Sequence, residues 1–384
     1  MRKTYGERLV LECVCGTRGM QCLDLFSGIG GMTMNLDVNY VALVEIDTHA
    51  QSVLKKRYPG IPIHADICTL DPTLLPPFEL LTGGFPCQDI SSAGKRKGLQ
   101  GSKSSLYYQV LRIIKSTHPK WVFLENVANI LSMRAVLQVV YDTLSSEGYD
   151  LTWCVLKASQ CGAPMLRKRW FCLCRQVRAP SPVTIVLPKK IPRSGLVRAG
   201  VVQATCLPPL PEKSCTIELV PLISETGCKG KVVTESIIKS HWATPRTMMS
   251  HACRNLTYRG SCDLGSQLRF AKSTPENQRH KSVPNIEWVE WLMGLPIGWT
   301  DLNKEVPLPH NNWIEEPVQR MGVRSKIATQ RHWRLGNMCV PQCSQKAWQL
   351  LHQIHSTDLC YQYAPDSASV SLDTPEIHDK PKHS

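Results

Sequence analysis

Residues Gly83-Gly84-Phe85-Pro86-Cys87-Gln88-Asp89-Ile90-Ser91 set one thiol at the tip of a glycine-proline loop. The apolar run from Phe78 to Leu81 reads as the end of a buried strand, the paired glycines allow a sharp turn, and Pro86 fixes φ just before the thiol. A stiff loop at a strand's carboxyl end is where open α/β sheets build active sites, so Cys87 is the candidate nucleophile. Two further groups are spaced to work with it. Glu125 closes the apolar run Trp121-Val122-Phe123-Leu124, where partial burial would keep a carboxyl protonated near neutral pH, as a general acid must be. After the turn Gly162-Ala163-Pro164, Arg167 and Arg169 alternate into a strand and share one face. Paired guanidinium groups of this kind suit a phosphate or a base carbonyl. A cysteine taken at random is a small buried thiol; Cys87 differs in having an acid and two arginines at the ends of neighbouring strands.

The elements that must position these groups read as a doubly wound α/β sheet. Gln21-Cys22-Leu23-Asp24-Leu25-Phe26 is a strand that runs into Ser27-Gly28-Ile29-Gly30-Gly31, followed by a helical pattern through Met32, Met34 and Leu36. Gly28, Gly30 and Gly31 let backbone amides approach a ligand. Thr33 stands where a dinucleotide fingerprint needs its third glycine, so a pyrophosphate cradle is disfavoured, and no Lys-Ser/Thr pair makes a P-loop. The strand Tyr40 to Val44 ends in Glu45-Ile46-Asp47, about 20 residues on, where a carboxylate accepts hydrogen bonds from ribose hydroxyls. A third strand, Ile61 to Ala65, ends in Asp66-Ile67, within reach of an adenine amino group. Glycine, Glu45 and Asp66 at three successive strand ends describe a pocket for an adenosine without pyrophosphate, which S-adenosylmethionine fits better than NAD. Further strands are expected at Trp121–Leu124 and at Tyr149–Leu156, the latter an edge or hairpin strand, with helices over Leu106–Lys115 and Ile130–Ser145.

Bulk properties narrow the partners. A net charge of +14 is consistent with a polyanion, most simply nucleic acid. Basic and aromatic residues interleave in the irregular segment after Cys215, including His241, Trp242, Arg246, Arg254, Tyr258 and Arg259, and suit contacts to bases and phosphates. The loop Lys95-Arg96-Lys97-Gly98 to Ser105 reads as a mobile basic loop able to close over a phosphate backbone. No apolar run nears the roughly 20 residues of a membrane span, and Met1 to Met20 lacks a signal peptide's apolar centre. The reading is therefore an intracellular protein, cytoplasmic or nucleoid-associated. Seventeen cysteines, an odd count, argue for reduced thiols over a disulfide scaffold. Cys13/Cys15 and Cys172/Cys174 lack zinc-site spacing, so no metal site is expected.

Taken in order, Asp24 to Gly31, Gly84-Phe85-Pro86-Cys87-Gln88, Glu125-Asn126-Val127, Arg167-Lys168-Arg169 and Gly336-Asn337 to Pro341 resemble the motifs of DNA (cytosine-5) methyltransferases. Glu287 to Pro296 resembles that family's penultimate motif. The resemblance implies a Rossmann-like sheet with helices on both faces and a smaller irregular target-recognition domain. It divides the chain into an extension (1–20), a catalytic and cofactor-binding domain (21–177), a small target-recognition domain (178–315), a return to the catalytic domain (316–360) and a disordered tail (361–384). It also implies that the Cys87 thiolate adds to C6 of a flipped-out cytosine, Glu125 acts at N3, and Arg169 holds the base carbonyl with Arg167 nearby. For the cofactor it assigns Phe26, Gly28 and Gly30 to methionine and adenosine, Glu45 to the ribose and Asp66 to adenine, with Ile46 and Ile67 flanking the ring and Asn337 reaching the same pocket. The resemblance further implies double-stranded DNA as the partner, a monomer and no obligate protein partner. Two residues depart from the pattern: Met165 replaces a usual glutamine, and Ser105-Leu106-Tyr107 a usual Gly-Leu-Phe. An RNA (tRNA) cytosine methyltransferase on this scaffold, an inactive DNA-binding relative and an NAD oxidoreductase are the alternatives.

Overall fold

Period-two alternation along the strands decides the layers, because successive side chains point to opposite faces of a sheet. A computed structural model of the chain describes residues 19–86, 105–198, 204–206, 245, 282–306, 313, 318–319, 321–323 and 325–356. Its strands are β1 (Met20–Leu25), β2 (Val38–Val44), β3 (Ile63–His64), β4 (Leu80–Gly83), β5 (Trp121–Val127), β6 (Tyr149–Lys157), β7 (Lys168–Gln176), β8 (Ser194–Val197) and β9 (Thr205–Cys206). They form a nine-stranded sheet in the order β3-β2-β1-β4-β5-β7-β6-β8-β9. From β3 to β5 the strands are parallel; β7, β6, β8 and β9 pair antiparallel. A separate antiparallel pair joins β10 (Ser282–Pro284) to β11 (Met321–Val323).

The helices are α1 (Thr48–Arg57), α2 (Ser105–Thr117), α3 (Arg134–Ser146), α4 (Ile286–Leu292), α5 (Lys326–Asn337) and α6 (Pro341–Ser356). On β5, Trp121 and Phe123 face one way, into a core with Trp288 of α4, Leu335 of α5 and Trp348 of α6. Val122 and Leu124 face the other, into a core with Val110 of α2 and Val140 of α3. Helices therefore cover both faces, as the sequence predicts. Cys172 and Cys174 also share a face, their sulfurs 3.7 Å apart in the second core. Ser325 and Asp47 cap the helices that follow them, each side chain accepting an amide of the first turn.

Four expectations change. The helix expected after the glycine turn is instead a run of turns, closed by Gly30 O to Met34 N and Thr33 O to Leu36 N. Its backbone is held from outside, by the Ser344 hydroxyl on Met32 O and the Trp299 indole on Ile29 O. Strand β6 is in a hairpin with β7 but is no edge, since β8 pairs with its other side. The chain does not leave the sheet after Val177: β8 and β9 extend it to Cys206. Residues 282–306, placed in the small domain, pack on the main one, where Arg57 donates to the carbonyls of Gly298, Trp299, Asp301 and Lys304. Residues 1–18, 87–104, most of 207–281 and 357–384 lie outside the described residues, and with them Cys87, the basic loop, His241 to Lys281 and the tail.

Candidate active site

Strand order reverses between β1 and β4, so the chain leaves these neighbouring strands in opposite directions and opens a crevice at their carboxyl ends. A cavity of about 320 Å3 lies there, lined by Phe26 to Gly28 and Gly31 after β1, Glu45 to Asp47 after β2, Gly84 to Pro86 after β4, Glu125 to Val127 at the end of β5, Arg169 of β7, and residues 333–334 and 336–339 around the end of α5. Six segments distant in sequence converge there: four parallel strands deliver their carboxyl ends to one side, antiparallel β7 brings its amino end to the same side, and the end of α5 joins them.

On the β1–β2 side the backbone is shaped tightly. Phe26 (φ 56°) and Gly28 (φ 56°) both adopt left-handed conformations, uncommon for a phenylalanine and characteristic of functional turns. The Glu45 carboxylate accepts the amides of Gly28 (2.7 Å) and Asp47 (2.8 Å), tying the glycine turn to the end of β2. Burial raises its pKa, and these amides oppose the rise. With about four acceptor sites on a carboxylate, Glu45 keeps capacity for ligand hydroxyls. Beneath the turn, fully buried Asp24 accepts the hydroxyls of Thr82 (2.5 Å) and Thr33 (3.3 Å), and Tyr40 donates to Thr33 in turn (3.0 Å). Burial lifts the Asp24 carboxyl to about 6.

On the β5 side Glu125 pairs across the ladder with Phe171, which places Arg169 as its diagonal neighbour on the same face. Arg169 Nε stands 2.8 Å from Glu125 Oε1. That oxygen makes no well-aligned hydrogen bond, so the pair is an ionic contact with hydrogen-bonding capacity left over. Burial raises the Glu125 pKa against the opposing charges of Arg169 and Arg167. Arg167 has a different task. It is 2% exposed and donates to the carbonyls of Gly336, Met338 and Pro245, fastening the segment after α5 to the start of β7. Met165, the departure from glutamine, is wholly buried in the first core.

The structure thus brings Phe26, Gly28, Gly31, Glu45, Ile46, Glu125, Arg169 and Asn337 to one cavity. Four of the expected residues stand apart from its lining. Gly30 faces Tyr58, whose hydroxyl would lie 2.8 Å from an added Cβ. Arg167 is behind the wall. Ile67 belongs to the second core at 4% exposure, and Asp66 caps its own turn through the amide of Cys68 (2.9 Å). Cys87 follows Pro86, the last described residue of its loop, by one peptide bond. Among the lining residues not singled out from sequence are Asp47, Trp333 and Arg334. No pattern in the sequence singles out their contact; in the structure Arg334 donates to both carboxylate oxygens of Asp47 at 2.8–3.0 Å.

Two features bear on the ligand. Both guanidinium groups in the lining, Arg169 and Arg334, are already paired with carboxyl groups. The turn after β1 also opens no helix, so there is no helix N-terminus to hold a pyrophosphate.

Residues 20–244 match the C-5 cytosine-specific DNA methylase family. The Type II methyltransferase M.NgoBV of Neisseria gonorrhoeae is 34% identical over 165 residues, covering 38% of this chain and 39% of that protein. M.HhaI of Haemophilus parahaemolyticus is 34% identical over 161 residues, covering 41% and 49%. The matched segments span between about two-fifths and one-half of these relatives' length. The crystal structure of the S. pombe Dnmt2 methyltransferase superposes with a TM-score of 0.51 at 17% identity, covering 87% of this chain and 99% of that one, a likeness of fold. The family match takes in more than half of the chain, including the glycine turn, the Cys87 loop, Glu125 and Arg169, and on that ground the chain belongs to the C-5 cytosine-specific DNA methylases.

Proposed function

We propose that this chain transfers a methyl group from S-adenosylmethionine to C5 of a cytosine flipped out of double-stranded DNA. The observation that carries the reading is the meeting of Gly84 to Pro86, Glu125 and Arg169 with the glycine turn and Glu45 around one cavity. When bound, the cofactor supplies an electrophilic methyl group.

The rest falls to the chain. Cytosine C5 is a weak nucleophile, and Cys87 activates the ring by adding its thiolate to C6. Charge then develops at N3, where Glu125, whose pKa burial raises against the opposing charges of Arg169 and Arg167, donates a proton. Arg169, beside Glu125, holds the base carbonyl and compensates the carboxylate once the proton has gone. The C5–methyl bond forms as the methyl–sulfur bond of the donor breaks, leaving S-adenosylhomocysteine; the C5 proton then passes to water as Cys87 departs from C6 as the thiolate and the ring regains its aromaticity, while N3 returns its proton to Glu125. A cytosine inside a duplex cannot reach this crevice, so flipping costs a few kcal/mol, roughly the unstacking energy of one base. The segment 207–281, between β9 and β10, is the part we assign to reading the target.

The test is transfer of labelled methyl from S-adenosylmethionine to duplex DNA and, in parallel, to tRNA, with digestion to nucleosides. We expect 5-methylcytosine in the DNA arm and its loss in Cys87→Ser. Label confined to tRNA would reassign the substrate, and label unaffected by Cys87→Ser would remove the mechanism.

A further inference from the structure

Nine large apolar side chains are exposed among the described residues, and two of them line the cavity: Ile46, 74% exposed, and Trp333, 43% exposed. They come from opposite ends of the fold, Ile46 from the end of β2 and Trp333 from the last turns of α5. Single exposed apolar residues are ordinary. These two are joined through their chain neighbours. Asp47, next to Ile46, receives the bidentate Arg334 guanidinium, next to Trp333. Arg334 is itself 9% exposed, is anchored on Gln330 O, and lies with its Cζ 6.0 Å from the Trp333 ring centre. The ion pair ties together the chain neighbours of two apolar groups that line one cavity. Pockets for flat ligands are lined in this way, by apolar walls with few placed polar groups.

We propose that Trp333 and Ile46 form an apolar clamp on the planar base of the adenosine moiety, with the Asp47–Arg334 ion pair as the clasp that holds them. The inference rests on the cofactor reading above and adds Trp333 to it. With Glu45 holding the sugar, a base attached to it would lie beside the next residue, Ile46. Trp333 supplies the aromatic surface that Ile46 lacks, and Phe26 lines the same cavity from the end of β1.

The clamp is tested by calorimetric titration of the full chain with S-adenosylhomocysteine and with adenosine, for wild type, Trp333→Ala and Trp333→Phe. Because Trp333 is half exposed, the unliganded melting temperature should not change. Trp333→Ala should weaken both ligands by the same factor, about ten-fold, as expected for loss of one base–aromatic stack. Trp333→Phe, which keeps a ring, should recover most of that loss. Wild-type affinity in Trp333→Ala overturns the clamp and leaves the cofactor reading intact. A wild-type chain that binds neither ligand overturns the cofactor reading and the clamp together.

Discussion

At the scale of single residues the site is governed by two carboxyls with different work, Asp24 wholly buried and Glu125 mostly so. Glu125 must carry a proton at the pH of the reaction, and its burial raises its pKa to that end. The acid form is lost as pH rises through the raised value, so methyl transfer should fall on an alkaline limb. Glu125→Gln should lower the single-turnover rate by about 100-fold or more and abolish that limb. A pH–rate profile of both proteins checks this; an unchanged alkaline limb in Glu125→Gln would assign it to another group. Asp24 lies outside the cavity lining and acts by holding Thr33 and Thr82 under the glycine turn. Its folded-state pKa is about 6 against an ordinary 3.8. The folded chain therefore binds more protons than the unfolded one between these values. Its contribution to stability is fully present below about pH 4, declines as pH rises through about 6, and amounts to about 3 kcal/mol across the window. Asp24→Asn removes that titration. The melting temperature of wild type relative to Asp24→Asn should fall between pH 4 and 6.5 and stay level above.

At the scale of elements, the parts legible in sequence were those fixed by local pattern. Strands β1, β2 and β5 follow from apolar runs ending in a carboxylate or glycine. The shared face of Arg167 and Arg169 follows from period two, although it could not say that one grips main-chain carbonyls while the other pairs with Glu125. The turn after β1 was not legible. Met32, Met34 and Leu36 suggested a helix, but the backbone there answers to Ser344 and Trp299, about 300 residues away. Asp24 left a usable sign, an acid enclosed by apolar residues within a strand, and Trp333 left none until Arg334 was seen on Asp47. Gly31 shows how close the distant elements come. A Cβ there would meet Cys339 O at 2.4 Å and Met338 Cε at 2.7 Å. The carbonyl belongs to backbone held by Arg167 on its preceding residue, so it yields poorly. Gly31→Ala should cost roughly 1–3 kcal/mol of stability and weaken S-adenosylhomocysteine binding by moving the wall around Asn337. Urea unfolding and calorimetry on the one variant measure both.

At the scale of the whole molecule, one sheet carries two cores, and β1, β4, β5, β6 and β7 each contribute residues to both. The carboxyl-terminal helices close the first core. Trp348 of α6 lies edge-on to Trp121 (5.9 Å between ring centres) and Phe123 (5.4 Å), and is wholly buried. His355 reaches the Thr152 hydroxyl at 2.9 Å, Arg175 holds His355 O at 2.9 Å, and Ser344 fastens α6 to the glycine turn. These contacts join the last described helix to β5, β6, β7 and the cofactor turn, which explains why the chain returns to its first domain. Trp348→Ala removes the largest side chain of that closure and should cost about 3–5 kcal/mol. If the two cores share one sheet energetically as well as geometrically, the loss appears as a shift of a single transition. Tryptophan fluorescence and far-ultraviolet circular dichroism should then give coincident urea midpoints in wild type and variant alike. Two separated transitions, with α5 and α6 released first, would show instead that the cofactor site is assembled on a sheet already stable without its carboxyl-terminal cover.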